Sequence, residues 1–229
     1  MSNIELLKKE AGCHAADLIE SGMAVGLGTG STLFFAIERI AERRKEEKLQ
    51  FRAVSTSFST TLLCRKYGIP TQDLGSVDHL DLAIDGADEI DPQKNLIKGR
   101  GAAHLIEKIV AQMADRFIVV ADESKRVAQL GTLMAVPIEV HPLALSSTVQ
   151  KLNSLGAQEV VVRQAGKSKD GPIISDSGNF ILDARFGLIE NPIQLAAELD
   201  EIAGVLAHGI FVQLPTEVVL ATSSGIELF

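Results

Sequence analysis

The sequence predicts an α/β fold with an open, mostly parallel, Rossmann-like sheet and a second, smaller α+β domain of ferredoxin-like type. Over roughly the first 125 residues, short apolar runs alternate with segments of helical periodicity, which is typical of parallel sheets. After Gly131 the order of predicted elements changes to β-α-β-β-α, close to a ferredoxin-like arrangement. We therefore predict a Rossmann-like domain in residues 1–131 and 205–229, and a small domain in 132–204.

Composition excludes several classes of protein. A chain of 229 residues that is 46% hydrophobic can bury a substantial core. The net charge of −8 and a pI near 5.2 argue against binding to nucleic acid or to anionic membranes. Cys13 and Cys64 lack metal-ligand spacing and are expected to be reduced thiols, with a disulfide as the alternative. With no apolar run of about 18 residues and no signal peptide, we expect a cytoplasmic protein.

The first part of the chain is predicted to alternate between helices and strands. Apolar residues at helical spacing define the helices, and short β-prone runs define the strands. The mixed charge run at 41–50 is expected to be a solvated helix end or loop. In chain order, we predict helix 4–20, strand 23–27, helix 33–40, strand 51–54, helix 60–67, strands 71–74 and 80–84, helix 101–114 and strand 117–121.

The second part is predicted to contain a hairpin and two strands that return to the first domain. The turn signal Asp176-Ser177-Gly178 lies between the β-prone segments 173–175 and 179–183. Residues 205–211 and 217–222 are the expected returning strands. The other predicted elements are strand 136–140, helix 146–155, strand 159–163 and helix 192–199.

The segment GLGTGST at 26–32 is a candidate anion-binding turn. A strand, a glycine-rich turn and a helix together direct backbone N–H groups at an anion, and Thr29, Ser31 and Thr32 add hydroxyl donors. The turn is not a P-loop, because no lysine follows the glycines. The alternative is a tight βα turn with an N-cap. For the hydroxyls at 55–61, helix capping is preferred over ligand contact.

The stretch 82–108 contains most of the charged residues that are candidates for function. Asp85 and Asp88 follow a buried strand, Lys98 lies in a basic glycine-rich segment, and Glu107 lies on a predicted helix. Ligands of open α/β sheets bind beyond the carboxyl ends of the strands. The hydroxyl turn, the aspartates and Lys125 each follow a strand, so we expect them to converge on one edge. The sequence thus predicts a pocket for a small, oxygen-rich anion.

Several roles remain open for the acidic residues. Asp85, Asp88, Glu89 and Asp91 could bind a divalent metal, although neither a His pair nor EF-hand spacing is present. Turn formation or capping is the alternative for Asp88 and Asp91. A carboxylate directly after a buried strand is costly without a partner, which makes Asp85 a stronger candidate for function.

The basic residues and Glu107 also have alternatives. Lys98 could be the partner of Asp85, whereas Arg100 is expected to face solvent or a neighbouring subunit. Glu107 lies outside the apolar stripe of its helix and, taken alone, is expected to be a solvated helical residue.

Four ordered motifs give the chain a family resemblance. GLGTGST at 26–32, DGADEID at 85–91, KGRGAA at 98–103 with Glu107-Lys108 downstream, and ADESK at 121–125 resemble ribose-5-phosphate isomerases of type A. The likeness extends over essentially the whole chain, including PIEVHP at 137–142 and SDSGNFILD at 175–183. Arg100 stands where some members have a third glycine.

The resemblance implies an enzyme that interconverts D-ribose 5-phosphate and D-ribulose 5-phosphate through a cis-enediolate in the pentose phosphate pathway. It implies no cofactor and no metal. It makes Glu107 the base, while Asp85, Asp88 and Lys98 open the ring and handle the oxygen protons and charge. Lys8 is a further candidate for phosphate contact. The implied substrate-binding residues are Thr29, Gly30, Ser31, Thr32, Gly86, Ala87, Gly99, Arg100, Gly101 and Lys125.

The resemblance also implies partners and leaves rivals. The partner is a small-molecule sugar phosphate, without nucleic acid or membrane. The expected assembly is a homodimer, with a tetramer as the alternative and the small domain at 132–204 as a candidate oligomer interface. The rival functions are another sugar-phosphate isomerase or deaminase and a non-enzymatic sugar-phosphate-sensing domain. The latter usually accompanies a DNA-binding domain, and no basic helix-turn-helix is visible.

Overall fold

The computed structural model describes residues 2–166 and 169–229, which fall into two compact units. The first unit contains the chain up to Ala87 together with Ile109–Lys125 and Leu214–Phe229. The second contains Asp88–Lys108 and Arg126–Gln213. None of the helices in the described part of the chain is long and apolar enough to cross a membrane.

The helices and strands are numbered in chain order. The helices are α1 (Asn3–Asp17), α2 (Ser31–Glu46), α3 (Phe58–Lys66), α4 (His104–Met113), α5 (Leu145–Ser154) and α6 (Pro192–Asp200). The strands are β1 (Ala24–Leu27), β2 (Arg52–Ser55), β3 (Thr71–Gln72), β4 (Leu80–Gly86), β5 (Glu89–Ile90), β6 (Leu96–Ile97), β7 (Ala114–Asp122), β8 (Val136–Val140), β9 (Glu159–Val162), β10 (Phe180–Arg185), β11 (Val205–His208), β12 (Ile210–Phe211), β13 (Thr216–Thr222) and β14 (Gly225–Leu228).

The first unit is built on a seven-stranded sheet in the order β14-β13-β7-β4-β1-β2-β3. All neighbouring pairs are parallel except β13 and β14, which are antiparallel. The central strands read as continuous apolar runs because both of their faces are buried. The predicted Rossmann-like sheet is thereby confirmed.

Local sequence explains how the helices of this unit begin. Ser2 and Glu5 form a capping box at the start of α1, with the Ser2 N–H donating to the Glu5 carboxylate at 2.7 Å. Ser57 caps α3 by accepting from the Thr60 N–H at 3.1 Å, so the preferred interpretation of that hydroxyl is confirmed. Helix α2 continues through most of the charge run, to Glu46.

The second unit contains two sheets. One has four antiparallel strands in the order β11-β8-β10-β9, and with α5 and α6 it gives the β-α-β-β-α-β order of a ferredoxin-like fold. Its apolar core includes Ile138, Leu152, Leu182 and Leu199. The other sheet has three short strands in the order β12-β6-β5.

Some predicted elements differ from the structure. The segment 205–211 is not a strand that returns to the first sheet: β11 joins the four-stranded sheet and β12 the three-stranded sheet. Residues 173–175 form only an isolated bridge, Ile174 with Phe180, and the main hairpin partner of β10 is β9. The short strands β5, β6 and β14 were not predicted.

The predicted domain boundaries stay a prediction. The second compact unit is larger than the 132–204 segment, since it also takes in Asp88–Lys108. Both cysteines are free thiols, as expected, and burial raises the pKa of Cys64 to about 11.

Candidate active site

Asp85 lies near the carboxyl end of β4 and is buried. Its Oδ1 accepts the N–H of Thr29 at 3.1 Å and the N–H of Gly86 at 2.7 Å. A Cβ at position 28 would lie 2.1 Å from the Asp85 Cγ, so glycine is required there by the carboxylate rather than by the backbone angle. The turn after β1 and the end of β4 are therefore shaped around one carboxylate.

The Thr29 hydroxyl lies in a cluster of hydroxyl groups. Its Oγ1 is 2.7 Å from Ser57 Oγ, 3.0 Å from Thr56 Oγ1 and 3.2 Å from Thr60 Oγ1. Thr60 in turn donates to the carbonyl of Gly28 at 2.6 Å. Because its hydroxyl has these protein partners, Thr29 can shape the turn with its side chain.

The N-terminus of α2 is open to an anion. Its N-cap is Gly30, with φ of 128°, and no side chain caps the first turn. The segment is thus a tight βα turn with Gly30 as its N-cap residue, without the side-chain cap that would occupy the first N–H groups of the helix. Ser31 is exposed, and Thr32 is largely buried. Uncapped N–H groups and the helix dipole together favour a phosphate at such a position.

Lys125 follows β7 in a short 3₁₀ helix, Glu123–Lys125. Strands β1, β4 and β7 are parallel neighbours, so their carboxyl ends share one edge of the sheet. The predicted convergence of the hydroxyl turn, Asp85 and Lys125 on one edge follows directly from this order.

In the second unit, Glu107 and Lys98 form a buried ion pair. Glu107 Oε2 lies 3.1 Å from Lys98 Nζ, and the two side chains are 5% and 3% exposed. The Lys98 N–H donates to the Gly209 carbonyl at 2.8 Å, which fixes the strand that presents it. The interpretation of Glu107 alone as a solvated residue is therefore wrong. A buried carboxylate paired with an ammonium group is a suitable proton acceptor.

The glycine loop after Lys98 is stabilised by a residue that is distant in sequence. The Arg163 guanidinium donates to the carbonyls of Gly99 and Arg100, both at 2.9 Å, and its Nε binds Asp183 at 2.8 Å. Gly99 has φ of 103°, and a Cβ there would lie 2.8 Å from the His104 ring. Only glycine meets both conditions.

Asp88 and Arg100 pair within the second unit. Asp88 Oδ2 accepts the Arg100 N–H at 3.1 Å, and Asp88 Oδ1 is 3.7 Å from the Arg100 Nε. The Arg100 side chain is 70% exposed, as expected for a residue that faces solvent.

The other two carboxylates of the acidic run hold the backbone. Glu89 is fully buried and accepts the N–H groups of Gly131, Leu133 and Met134. Asp91 closes a turn by accepting the N–H groups of Gln93 and Asn95. Turn formation is confirmed for Asp91, and Glu89 likewise serves the backbone.

Comparison with known proteins supplies the family. Residues 52–225, more than half of the chain, match the family model for ribose 5-phosphate isomerase A, also called phosphoriboisomerase A. The chain belongs to this family. The resemblance drawn from the four motifs is confirmed.

Relatives in this family cover nearly the whole chain. A ribose-5-phosphate isomerase A from Trichormus variabilis is 48% identical over 210 residues, which are 91% of this chain and 88% of the relative. One from Methanothermobacter thermautotrophicus is 45% identical over 222 residues, 97% and 96% of the two chains.

Solved structures of family members have the same fold. A D-ribose-5-phosphate isomerase in complex with phospho-erythronic acid aligns with a TM-score of 0.95 at 43% identity, over 99% of both chains. The ribose 5-phosphate isomerase A of Methanocaldococcus jannaschii aligns with a TM-score of 0.93 at 39% identity, over 98% of both chains.

The residues that the family resemblance singles out divide between the two units. The first contains Thr29, Gly30, Ser31, Thr32, Asp85, Gly86, Ala87 and Lys125, and the second contains Asp88, Lys98, Gly99, Arg100, Gly101 and Glu107. Within each unit the structure brings key members together, Thr29 with Asp85 and Lys98 with Glu107. Their roles toward a substrate stay predictions.

Sequence reasoning missed several residues that build the family's loops. Arg163, which follows β9, and Asp183 on β10 anchor the glycine loop from more than 60 residues away in sequence, and an isolated arginine in a β-prone run gives no signal of this. Phe211 contacts Lys98 from β12, which lies within the predicted strand 205–211 but pairs with β6 rather than with the first sheet.

Proposed function

We propose that this protein interconverts D-ribose 5-phosphate and D-ribulose 5-phosphate. Its membership in the ribose 5-phosphate isomerase A family supports the substrate and the reaction. The observation that carries the chemistry is the buried pair of Glu107 and Lys98, 3.1 Å apart. Such a pair supplies a base and a compensating positive charge without a metal.

Glu107 is proposed as the base. The reaction moves a proton between C2 of the aldose and C1 of the ketose through a cis-enediolate, so one base must reach both adjacent carbons. Glu107 lies in the first turn of α4, where the helix holds the carboxylate in place. A rigid, desolvated carboxylate is suited to take the proton from one carbon and return it to the next.

Lys98 is proposed to stabilise the oxyanion. In the resting state its ammonium compensates the Glu107 carboxylate. Once Glu107 has accepted the proton it is neutral, while negative charge develops on the enediolate oxygens. The same ammonium can then stabilise that charge, so the buried net charge changes little during the step.

Asp85 and Asp88 are proposed to open the furanose ring and to exchange protons with the sugar oxygens. The phosphate is proposed to bind the uncapped start of α2, through Ser31 and Thr32, with Lys125 as the cation. Further backbone contacts are assigned to Gly30, Gly86, Ala87, Gly99 and Gly101, with Arg100 at the rim.

A direct assay tests the proposed function. Purified protein is given ribose 5-phosphate, and ribulose 5-phosphate is followed by NMR, with glucosamine 6-phosphate as the competing substrate. Turnover of ribose 5-phosphate alone, retained after exhaustive EDTA dialysis, is the expected result. Turnover of only the aminosugar, or none, would contradict the proposal, and rescue of a dialysed sample by Mg²⁺ or Mn²⁺ would restore the metal interpretation.

The bound ligand of one solved relative suggests an inhibitor. That relative is in complex with phospho-erythronic acid. This compound combines a phosphate with a carboxylate, and the carboxylate carries negative charge as an enediolate does. We expect it to compete with ribose 5-phosphate, and we expect Lys98→Met to weaken its binding more than that of ribose 5-phosphate.

The predicted homodimer, with a tetramer as the alternative, and the predicted cytoplasmic location are also proposals. Light scattering after size exclusion gives the mass of the assembly, to be compared with 24.5 kDa for one chain. Cell fractionation tests the location.

A further inference from the structure

A second lysine, Lys108, lies beside the ion pair and is held between two rings. Its Nζ is 3.3 Å from Nε2 and 3.4 Å from Nδ1 of His208, nearly equidistant from the two ring nitrogens. The centroid of the Phe211 ring lies 5.2 Å from the same Nζ. An ammonium within about 6 Å of an aromatic centroid is attracted by the ring face.

The imidazole of His208 is fixed in one tautomer. Its Nδ1 accepts the N–H of Ile210 at 3.2 Å, so its Nε2 carries the proton and lies 3.2 Å from Asp200 Oδ1. Burial lowers the pKa of His208, which keeps the ring neutral near pH 7. Lys108 therefore faces a neutral ring that is anchored at both nitrogens.

Phe211 connects Lys108 to the ion pair. The Lys98 Nζ is 5.4 Å from the centroid of the same ring, so two ammonium groups contact one phenyl group. Pairing of β12 with β6 sets Phe211 opposite Leu96, which is two residues before Lys98. The paired strands therefore bring the backbone of Phe211 close to that of Lys98.

The other charges around Lys108 are mostly positive or neutral. His104 lies one helical turn before it, is fully buried, and has a pKa lowered to about 3, chiefly by burial. Arg163 contributes a further positive charge at His104, and Asp200 is the acid that favours the charged form of Lys108. Burial lowers the pKa of Lys108 to about 8, so this group titrates above neutral pH.

We propose that Lys108 is a positioning residue for the Lys98–Glu107 pair. Its ammonium repels that of Lys98 across the shared Phe211 ring and so holds Lys98 toward Glu107. It also adds positive potential where negative charge passes from Glu107 to the substrate. Loss of the Lys108 proton removes both effects. The inference rests on the proposed function and extends it to a residue that need not touch the substrate.

The test compares kcat and KM between pH 7 and 10 for the wild type and three variants. Lys108→Met keeps the length of the side chain and removes the charge. Lys108→Arg keeps a charge that does not titrate in this range. Lys66→Met is the matched control, because Lys66 also lies over a ring, 5.4 Å from the Tyr67 centroid, but is exposed.

The expected results distinguish a positioning role of Lys108 from a merely structural one. In the wild type, kcat falls in one step as pH rises through about 8, with little change in KM. In Lys108→Met, kcat is reduced about tenfold at pH 7, and the step near pH 8 is absent. Lys108→Arg keeps most of the activity at pH 7 and also lacks the step. Lys66→Met behaves as the wild type.

Several outcomes would overturn the inference. Lys108→Arg retaining the step near pH 8 would assign the titration to another group. Lys108→Met with wild-type kcat would remove any positioning role. If Lys108→Met fails to fold, the profile of Lys108→Arg decides alone. An inactive wild type would instead contradict the proposed function itself.

Discussion

Gly28→Ala tests the role of the Asp85 carboxylate without replacing Asp85 itself. The methyl group would lie 2.1 Å from both Cγ and Oδ1 of Asp85, and the φ of Gly28 is outside the left-handed region, so the carboxylate is what must move. That movement breaks the bonds from the N–H groups of Thr29 and Gly86, each worth about 1.5–3 kcal/mol to a charged acceptor. Overpacking adds about 1–3 kcal/mol.

We expect kcat to fall about 10²–10³-fold, as for the loss of a positioned acid–base group, and Tm to fall by roughly 10 °C or more. Steady-state kinetics and calorimetry measure the two effects. Because Asp85 Cβ also lies 2.6 Å from the added methyl group, Gly28→Ala combined with Asp85→Gly should recover stability but not activity. Gly75→Ala, in a surface 3₁₀ helix, is the control. Near wild-type kcat in Gly28→Ala would refute the role of Asp85.

Three further predictions concern the second unit. Arg163→Lys removes the planar guanidinium that donates to the carbonyls of Gly99 and Arg100, so kcat should fall about tenfold in steady-state assays. An unchanged kcat would mean that the loop keeps its conformation without Arg163. Glu89→Gln leaves backbone N–H groups short of acceptors and should lower the free energy of unfolding in urea by about 3 kcal/mol. Since the pKa of His104 is lowered to about 3, the unfolded state binds more protons from about pH 6.5 down to 3, and stability is lost with acid. Urea titrations should show His104→Asn losing less stability than the wild type over that range.

The predicted elements agree with the structure where burial produces a strong pattern of apolar residues. Strand β8 is predicted at its observed bounds, because all five of its residues are buried and three of them are β-branched. Strands β5 and β6 are missed, because two-residue strands depend on their partners rather than on their own sequence. The segment 205–211 reads as one strand, yet Gly209 separates β11 from β12, and the two halves pair with different sheets.

The site residues that lie in recognisable sequence motifs could be predicted. Asp85 and the glycine turn follow strands, and the structure joins Thr29 to Asp85 as that order suggests. The burial of Glu107 was not predictable from its helix, since its partner Lys98 directly follows β6 and does not lie on the same helix. Arg163, His208 and Phe211 carry no local signal, because they act through contacts with residues far away in sequence.

The most direct test of the account is proton transfer by Glu107. Ribose 5-phosphate is incubated in D₂O with the wild type or with Glu107→Gln, and deuterium incorporation and ribulose 5-phosphate are followed by NMR. The account predicts that the variant loses both isomerisation and exchange by at least about 10²-fold, while calorimetry shows ribose 5-phosphate still bound. Exchange and turnover near the wild-type rates in Glu107→Gln would contradict it.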